Sequence, residues 1–510
     1  MCLQRMKSMT RRGGVPRGRD GGYTPPVPRL PSGVTVTLPA GRPRARLWFY
    51  LALGLLFAVV AAQYAAKVLT PRKDGPTQSA ILRWARQFEE MQDGENIHAK
   101  YNYPNPPILP QLLTPIFKLI EVSPAAGALT WFALKLGMAV VSLVWAFRLV
   151  ETPGRPFPEW ARMVAVAAAI NPVIGDLKHG NVNLFILFLV MATLYAFSRG
   201  RDFLSGLLLA LAIACKVTPG LFVVYFLWKR AWRALVGTAV GLVLFFLVVP
   251  SAVFTVQKGS AVEGCKQNWS ALTAWVDGMI VPYVVHGEVT SERENQSLPG
   301  VLTRLLSREP SFSKWIDNAD TPLAYHNVAD LDRTTIKRIV QGCQALFLLA
   351  MVLLCRSPVR ADGASPTEVR RGWRPAAEYS LILVGMLLFS ERTWKHHCVT
   401  LVLPFAVLSY GAFAAGFSRR VRLVARVTLF TAAASVLLPT TLEVFGDVTL
   451  VDAGTLDPGA REHLRLNPNS PRELAQVYGA YLWGFVALLV GLGVMLASRE
   501  AGDQSRRASS

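Results

Sequence analysis

Long apolar runs recur along the chain, separated by short basic connections and a few long polar ones. About 20 apolar residues span a bilayer core as a helix. By that measure twelve segments read as membrane helices, some of them short: Trp48–Val68, Ala126–Phe147, Met163–Leu177, Val182–Phe197, Phe203–Cys215, Thr218–Trp228, Ala234–Phe254, Ile339–Cys355, Ala377–Ser390, Val399–Phe417, Val427–Leu442 and Val477–Ala497. The pair Phe203–Cys215 and Thr218–Trp228 reads as a hairpin of two thin helices or a re-entrant loop. Between the first two spans, Ile81–Met91 reads as a helix. The run Tyr101-Asn102-Tyr103-Pro104-Asn105-Pro106-Pro107 has too much proline for one, so its two tyrosines are expected on an extended segment. Ile108–Ile120, broken by Pro110 and Pro115, is expected to lie in the interface or re-enter the membrane rather than span it.

Composition fits this pattern. Of 510 residues, 52% are hydrophobic and only 17% charged, against about a quarter charged in an average soluble domain. The net charge of +21 would suggest nucleic acid only if it formed one basic patch, and its distribution excludes that. With the N-terminus inside, every cytoplasmic connection is net positive, while the long outer connections at about 70–124, 255–335 and 443–476 are neutral or acidic. This is the positive-inside pattern, and the scattered basic pieces suit inner-leaflet lipid. The expected organisation is a basic disordered cytoplasmic tail (1–46), a multi-span membrane domain (47–497) and a cytoplasmic C-terminal tail (498–510). Six cysteines without C-x-x-C or Cys/His spacing predict neither a disulfide framework nor a structural zinc site.

With the sides assigned, the unusual polar residues collect on the outer face. Asp74 follows the first span. Asp176, Lys178, His179, Asn181 and Asn183 lie between the third and fourth, Lys216 at the tip of the thin hairpin, and Glu391, Arg392, Trp394, His396 and His397 between the ninth and tenth. Cations at such an interface suit a lipid-linked phosphate, and a nearby carboxylate or imidazole suits acid–base chemistry. Lys216 lies partly within hydrocarbon depth, where an ionisable group needs an anionic partner. Asp176 with its neighbours reads as an ordinary polar turn, and of two adjacent helical histidines at most one is expected to touch the chemistry. Glu89, Glu90 and Asp93 share the first outer loop with Asp74 and compete with it as the base. Two sequons, Asn268-Trp269-Ser270 and Asn295-Gln296-Ser297, are a short, weak pattern. A secondary transporter or lipid-linked sugar flippase would instead place its charges at mid-helix with repeat symmetry, and no internal repeat is evident.

At these residues the chain resembles glycosyltransferase family 87, the polyprenol-phosphate-dependent mannosyltransferases of the GT-C membrane class. The likeness is carried by Tyr101–Pro107, by Gly180-Asn181-Val182-Asn183 with Arg199-Gly200-Arg201, by Ala210–Pro219 (ALAIACKVTP), by Ser390–Pro404 (SERTWKHHCVTLVLP), and by Asn295-Gln296-Ser297-Leu298 with Arg304-Leu305. It covers roughly Trp48 to Phe417. The resemblance implies an all-α polytopic GT-C fold with about 10–12 transmembrane helices and sizeable extracytoplasmic loops. It implies transfer of a hexose, typically mannose, from a polyprenyl-phosphate carrier to a hydroxyl of a glycan or glycolipid, with inversion, no cofactor and no metal. The setting would be a bacterial inner membrane with the active site outside. Asp74 would be the general base; Lys216, Arg392, His396 and His397, with Lys178 and His179, would bind the donor phosphate; Tyr101, Tyr103, Asn181, Asn183 and Trp394 would line the substrate. A different polyprenyl-phosphate enzyme, such as an O-antigen ligase, shares the topology and the histidines.

Overall fold

Apolar side chains that lipid can solvate, on a backbone that must satisfy its own hydrogen bonds, leave helices as the way to build a chain of this composition. The structure, a computed structural model, follows that rule and describes residues 43–69, 79–93, 95–101, 103–316, 319–361, 363–446 and 469–498. Eight helices are long and apolar enough to cross a membrane: Arg46–Leu69, Pro124–Val150, Glu159–His179, Trp232–Lys258, Arg333–Leu354, Lys395–Phe413, Arg419–Thr440 and Ala480–Ala497. Three shorter apolar helices, Asn183–Ser198, Asp202–Cys215 and Thr218–Trp228, accompany them, as does Trp373–Leu388, buried at every position but Arg374. All twelve expected segments are therefore helical, in an all-α polytopic membrane fold. The first helix begins at Pro43; the expected basic tail up to Arg42, and Asp74, lie outside the described residues.

Helices 202–215 and 232–243 meet backbone to backbone. A Cβ on Gly206 would stand 2.0 Å from the Ala234 carbonyl oxygen, and one on Gly237 2.3 Å from that of Phe203. Small residues are what permit such an approach between helices in lipid. Farther along, Leu244–Val248 and Val276–His286 are wound as π-helix, a form that recurs at functional sites.

At one end of the bundle, basic residues that read as topology signals are used structurally. Lys229 forms an ion pair with buried Glu378 at 2.7 Å and also donates to the Cys355 and Ser357 carbonyls. Tyr225 Oη donates to the same carboxylate at 2.8 Å, and Arg370 pairs with Asp202.

The connections at the other end differ in detail from the sequence-based expectation. Ile81–Met91 is helical as expected, extended to Ala80–Gln92. Tyr101, however, closes a short helix, Ile97–Tyr101, because the prolines begin only at Pro104 and restrain nothing before Tyr103. Ile108–Leu112 and Thr114–Val122 are separate helices too short to span. The long connection after Lys258 is itself structured: helices Ala261–Trp275 and Leu298–Leu306 precede an antiparallel hairpin of Phe312–Ile316 with Ala319–Ala324. Both sequon asparagines are buried, at 2% exposure for Asn268 and 0% for Asn295, so neither is presented for glycosylation.

Candidate functional site

The chemistry assembles where three helix junctions converge. Lys135, in the middle of Pro124–Val150, is fully buried and donates to the Asp176 carbonyl at 2.6 Å and to its Oδ2 at 3.0 Å. Asp176 Oδ1 accepts from Asn183 Nδ2 at 3.0 Å, and Oδ2 also accepts from the Leu184 amide at 3.3 Å. Asn183 Oδ1 in turn accepts from Lys216 Nζ at 2.7 Å. Asp176 is thus the buried hub of a four-residue relay, not the polar turn expected of it. Deleting one partner of such a buried pair strands the other charge, a loss of about 3–5 kcal/mol. Gly180 closes the same helix with φ of +69°, where a Cβ would stand 2.5 Å from Ser79 Oγ. Its carbonyl accepts from Trp131 Nε1. Ser79 and Lys67, which flank the segment containing Asp74, both meet this turn: Ser79, bonded to Tyr64 at 2.8 Å, lies against Gly180, and Lys67 donates to the Lys178 carbonyl.

A second device fixes the segment from Glu391 to His397. Arg304 is fully buried, and its guanidinium donates to the backbone carbonyls of Ser291, Glu292, Asn295, Gln476 and Val477. The fork is satisfied without a carboxylate. It holds Asn295 so that Nδ2 donates to the Glu391 carbonyl at 2.7 Å and Oδ1 accepts from the Thr393 amide at 3.0 Å. The Gln296 backbone N–H completes the clamp, donating to the Thr393 carbonyl at 2.7 Å. Beyond it the chain enters a 3-10 turn, Lys395–Leu401.

Between these devices lies a cavity of about 580 Å³. Lys216, Arg392, His396 and His397 all line it, joined by Tyr101, Tyr103, Asn181 and Trp394. Both histidines face it, their rings 4.7 Å apart and edge to face. One histidine at most was expected because successive helical side chains diverge; here the pair sits on the first turn, and the cavity wraps around it. The lining continues with the apolar and aromatic Met279, Ile280, Tyr283 and Val284 of the π-helical segment. Arg392 joins the two parts of the lining, donating to Tyr283 Oη at 2.9 Å with its cation 5.0 Å from that ring.

Other expected residues fall elsewhere. Lys178 is exposed and does not line the cavity, and Asn183 is buried as the link to Lys216. His179 lies behind, its ring 4.9 Å from His396, in a second cavity of about 460 Å³ that shares Trp394 and His396 with the first. Glu89, Glu90 and Asp93 do not line the main cavity, and Glu90 is held by Tyr101 at 2.7 Å and Lys100 at 2.9 Å. Among the described residues Glu391 is the only acid lining it, and burial pushes its carboxyl above the ordinary range. Lys135 escaped the sequence reading although a signal existed: it is an ionisable residue near the centre of an apolar run.

The profile of glycosyltransferase family 87 matches residues 103–390, more than half of the chain. The chain is 27% identical, over 78% of its length and 77% of the relative's, to a polyprenol-phosphate-mannose-dependent alpha-(1-2)-phosphatidylinositol mannoside mannosyltransferase of Mycolicibacterium smegmatis. It is 32% identical to a protein of the same description from Mycobacterium tuberculosis, over 25% of this chain and 32% of that one. A pentamannoside mannosyltransferase of M. smegmatis matches at 31% over 27% of this chain and 35% of its own. No solved structure matches the chain. A polytopic bundle of apolar helices agrees with the family match, and the chain belongs to glycosyltransferase family 87.

Proposed function

We propose that the protein transfers mannose from a polyprenyl-phosphate carrier to a hydroxyl of a phosphatidylinositol-mannoside-like glycolipid, with inversion, on the extracytoplasmic face and without a metal. The observation that carries this reading is the convergence of Lys216, Arg392, His396 and His397 on one cavity that Met279, Ile280 and Val284 also line. A phosphate bound among these groups would have its growing negative charge stabilised as the sugar leaves. The isoprenoid tail would lie against Met279–Val284. Asp74 would accept the proton of the attacking hydroxyl; Ser79 and Lys67 draw the ends of its segment toward the Lys178–Gly180 turn. The names of the relatives favour mannose and a phosphatidylinositol mannoside. Extracytoplasmic placement rests on the positive-inside distribution.

The test is the purified full chain in sealed proteoliposomes with polyprenyl-phosphate-[¹⁴C]mannose and phosphatidylinositol mannoside. Labelled glycolipid of inverted anomeric configuration, one polyprenyl phosphate released per transfer and insensitivity to EDTA are expected. Label crossing the bilayer without cleavage, or a pyrophosphate-linked donor being required, would overturn the reading.

A further inference from the structure

Two buried lysines of the bundle rest on carboxylates: Lys135 on Asp176 at 3.0 Å and Lys229 on Glu378 at 2.7 Å. That is the arrangement an ammonium at membrane depth is expected to find. Lys216, half-buried in the cavity wall, departs from it. Its Nζ donates to Asn183 Oδ1, an uncharged amide, and no carboxylate pairs with it among the described residues. Asp176 stands one side chain farther along the same chain of hydrogen bonds, accepting from Asn183 Nδ2 through Oδ1 and from Lys135 and the Leu184 amide through Oδ2. The amide of Asn183 can sit only this way round. Turned over, it would set its NH2 against the ammonium and its oxygen against the carboxylate.

The charges of this row are distributed unevenly. Lys135 and Asp176 are both fully buried and cancel each other. The remaining positive charge lies at the end that faces the cavity. Asn183 fixes where Lys216 Nζ stands without neutralising it, whereas a carboxylate in direct contact would satisfy the ammonium before any ligand arrived. We propose that Asn183 is a neutral spacer and Lys135 the counter-ion that keeps Asp176 from claiming Lys216, so that the charge of Lys216 is left for the phosphate of the donor to complete. Both are positioning residues, acting through Lys216 and not on the substrate. The charge they leave free is the one that can follow the phosphate as it gains negative charge on departure. This inference rests on the reading of Lys216 as a phosphate contact.

The test moves the carboxylate by one side chain. Asp176→Asn combined with Asn183→Asp keeps the volume, the net charge and the pattern of hydrogen bonds, and changes which lysine is compensated. The full chain in nanodiscs is titrated calorimetrically with polyprenyl phosphate and with polyprenol, the same tail without the phosphate. The exchange variant should bind polyprenyl phosphate about tenfold more weakly and polyprenol within about twofold of wild type. Wild-type affinity for polyprenyl phosphate would overturn the proposal. So would an equal loss for both lipids, which would mean that the row shapes the cavity and does not set its charge. Lys135→Met combined with Asp176→Asn strands no charge, and it decides the matter if the exchange variant does not fold. It should hold polyprenyl phosphate within about threefold of wild type, and a loss of about tenfold would overturn the counter-ion role. Lys216→Ala separates this inference from the reading beneath it. If that variant binds polyprenyl phosphate as wild type does, the phosphate contact and the spacer fall together. If it binds about tenfold more weakly while the exchange variant does not, the spacer role alone falls.

Discussion

Lys216 donates to the amide oxygen of Asn183 at 2.7 Å and keeps donors for an incoming anion, since an ammonium carries three. Lys216→Ala should raise the donor KM about tenfold or more, in line with the loss of a charge-assisted contact. Unchanged KM in a steady-state assay would remove it from donor binding. Asp74→Asn should abolish transfer while polyprenyl phosphate still binds; wild-type-like turnover would exclude Asp74 as the base. Glu391 supplies a pH test. Burial favours its neutral form, so its folded-state pKa lies above the unfolded value. Stability linked to this proton is full below the unfolded pKa and is lost as pH rises through the folded one. Glu391→Gln, permanently neutral, should melt higher than the wild type at neutral pH and converge with it in acid. Parallel melting curves across that range would contradict the assignment.

At the scale of elements, the spans were legible because lipid enforces a minimum apolar length, and that constraint leaves a mark in each run separately. The cations of the site were legible too: Lys216, Arg392 and the histidines interrupt or border such runs. What could not be read is partnership. Nothing near Asp176 announces Lys135, 41 residues away, and nothing near Thr393 announces Asn295, 98 residues away. Both contacts exist only once helices pack. Tyr101 was misread because proline acts on the residue before it, not on one three positions earlier. The Arg304 clamp illustrates what pairing adds to a motif. Arg304→Lys keeps the charge but loses the planar fork, and should loosen residues 391–397. Faster hydrogen exchange there, with reduced kcat, is the expected outcome; unchanged exchange would dismiss the clamp.

At the scale of the molecule, the orientation proposed from the charge pattern can be tested with a native reporter. Cys265 is exposed on helix 261–275, whereas Cys215, Cys355 and Cys398 are buried. A membrane-impermeant maleimide added to right-side-out spheroplasts should label Cys265 and fail to do so in sealed inverted vesicles. The opposite result would invert the topology and move the cavity to the cytoplasm. The contact between helices 202–215 and 232–243 matters at this scale as well. Backbones that nearly touch at Gly206 and Gly237 leave no crevice for a hydrocarbon chain, which needs at least the width of a methylene. That seam is welded shut to lipid, so an isoprenoid carrier must slide in along another flank of the bundle, and the order in which the protein meets its greasy and its sugary substrates is a matter of which seams remain open.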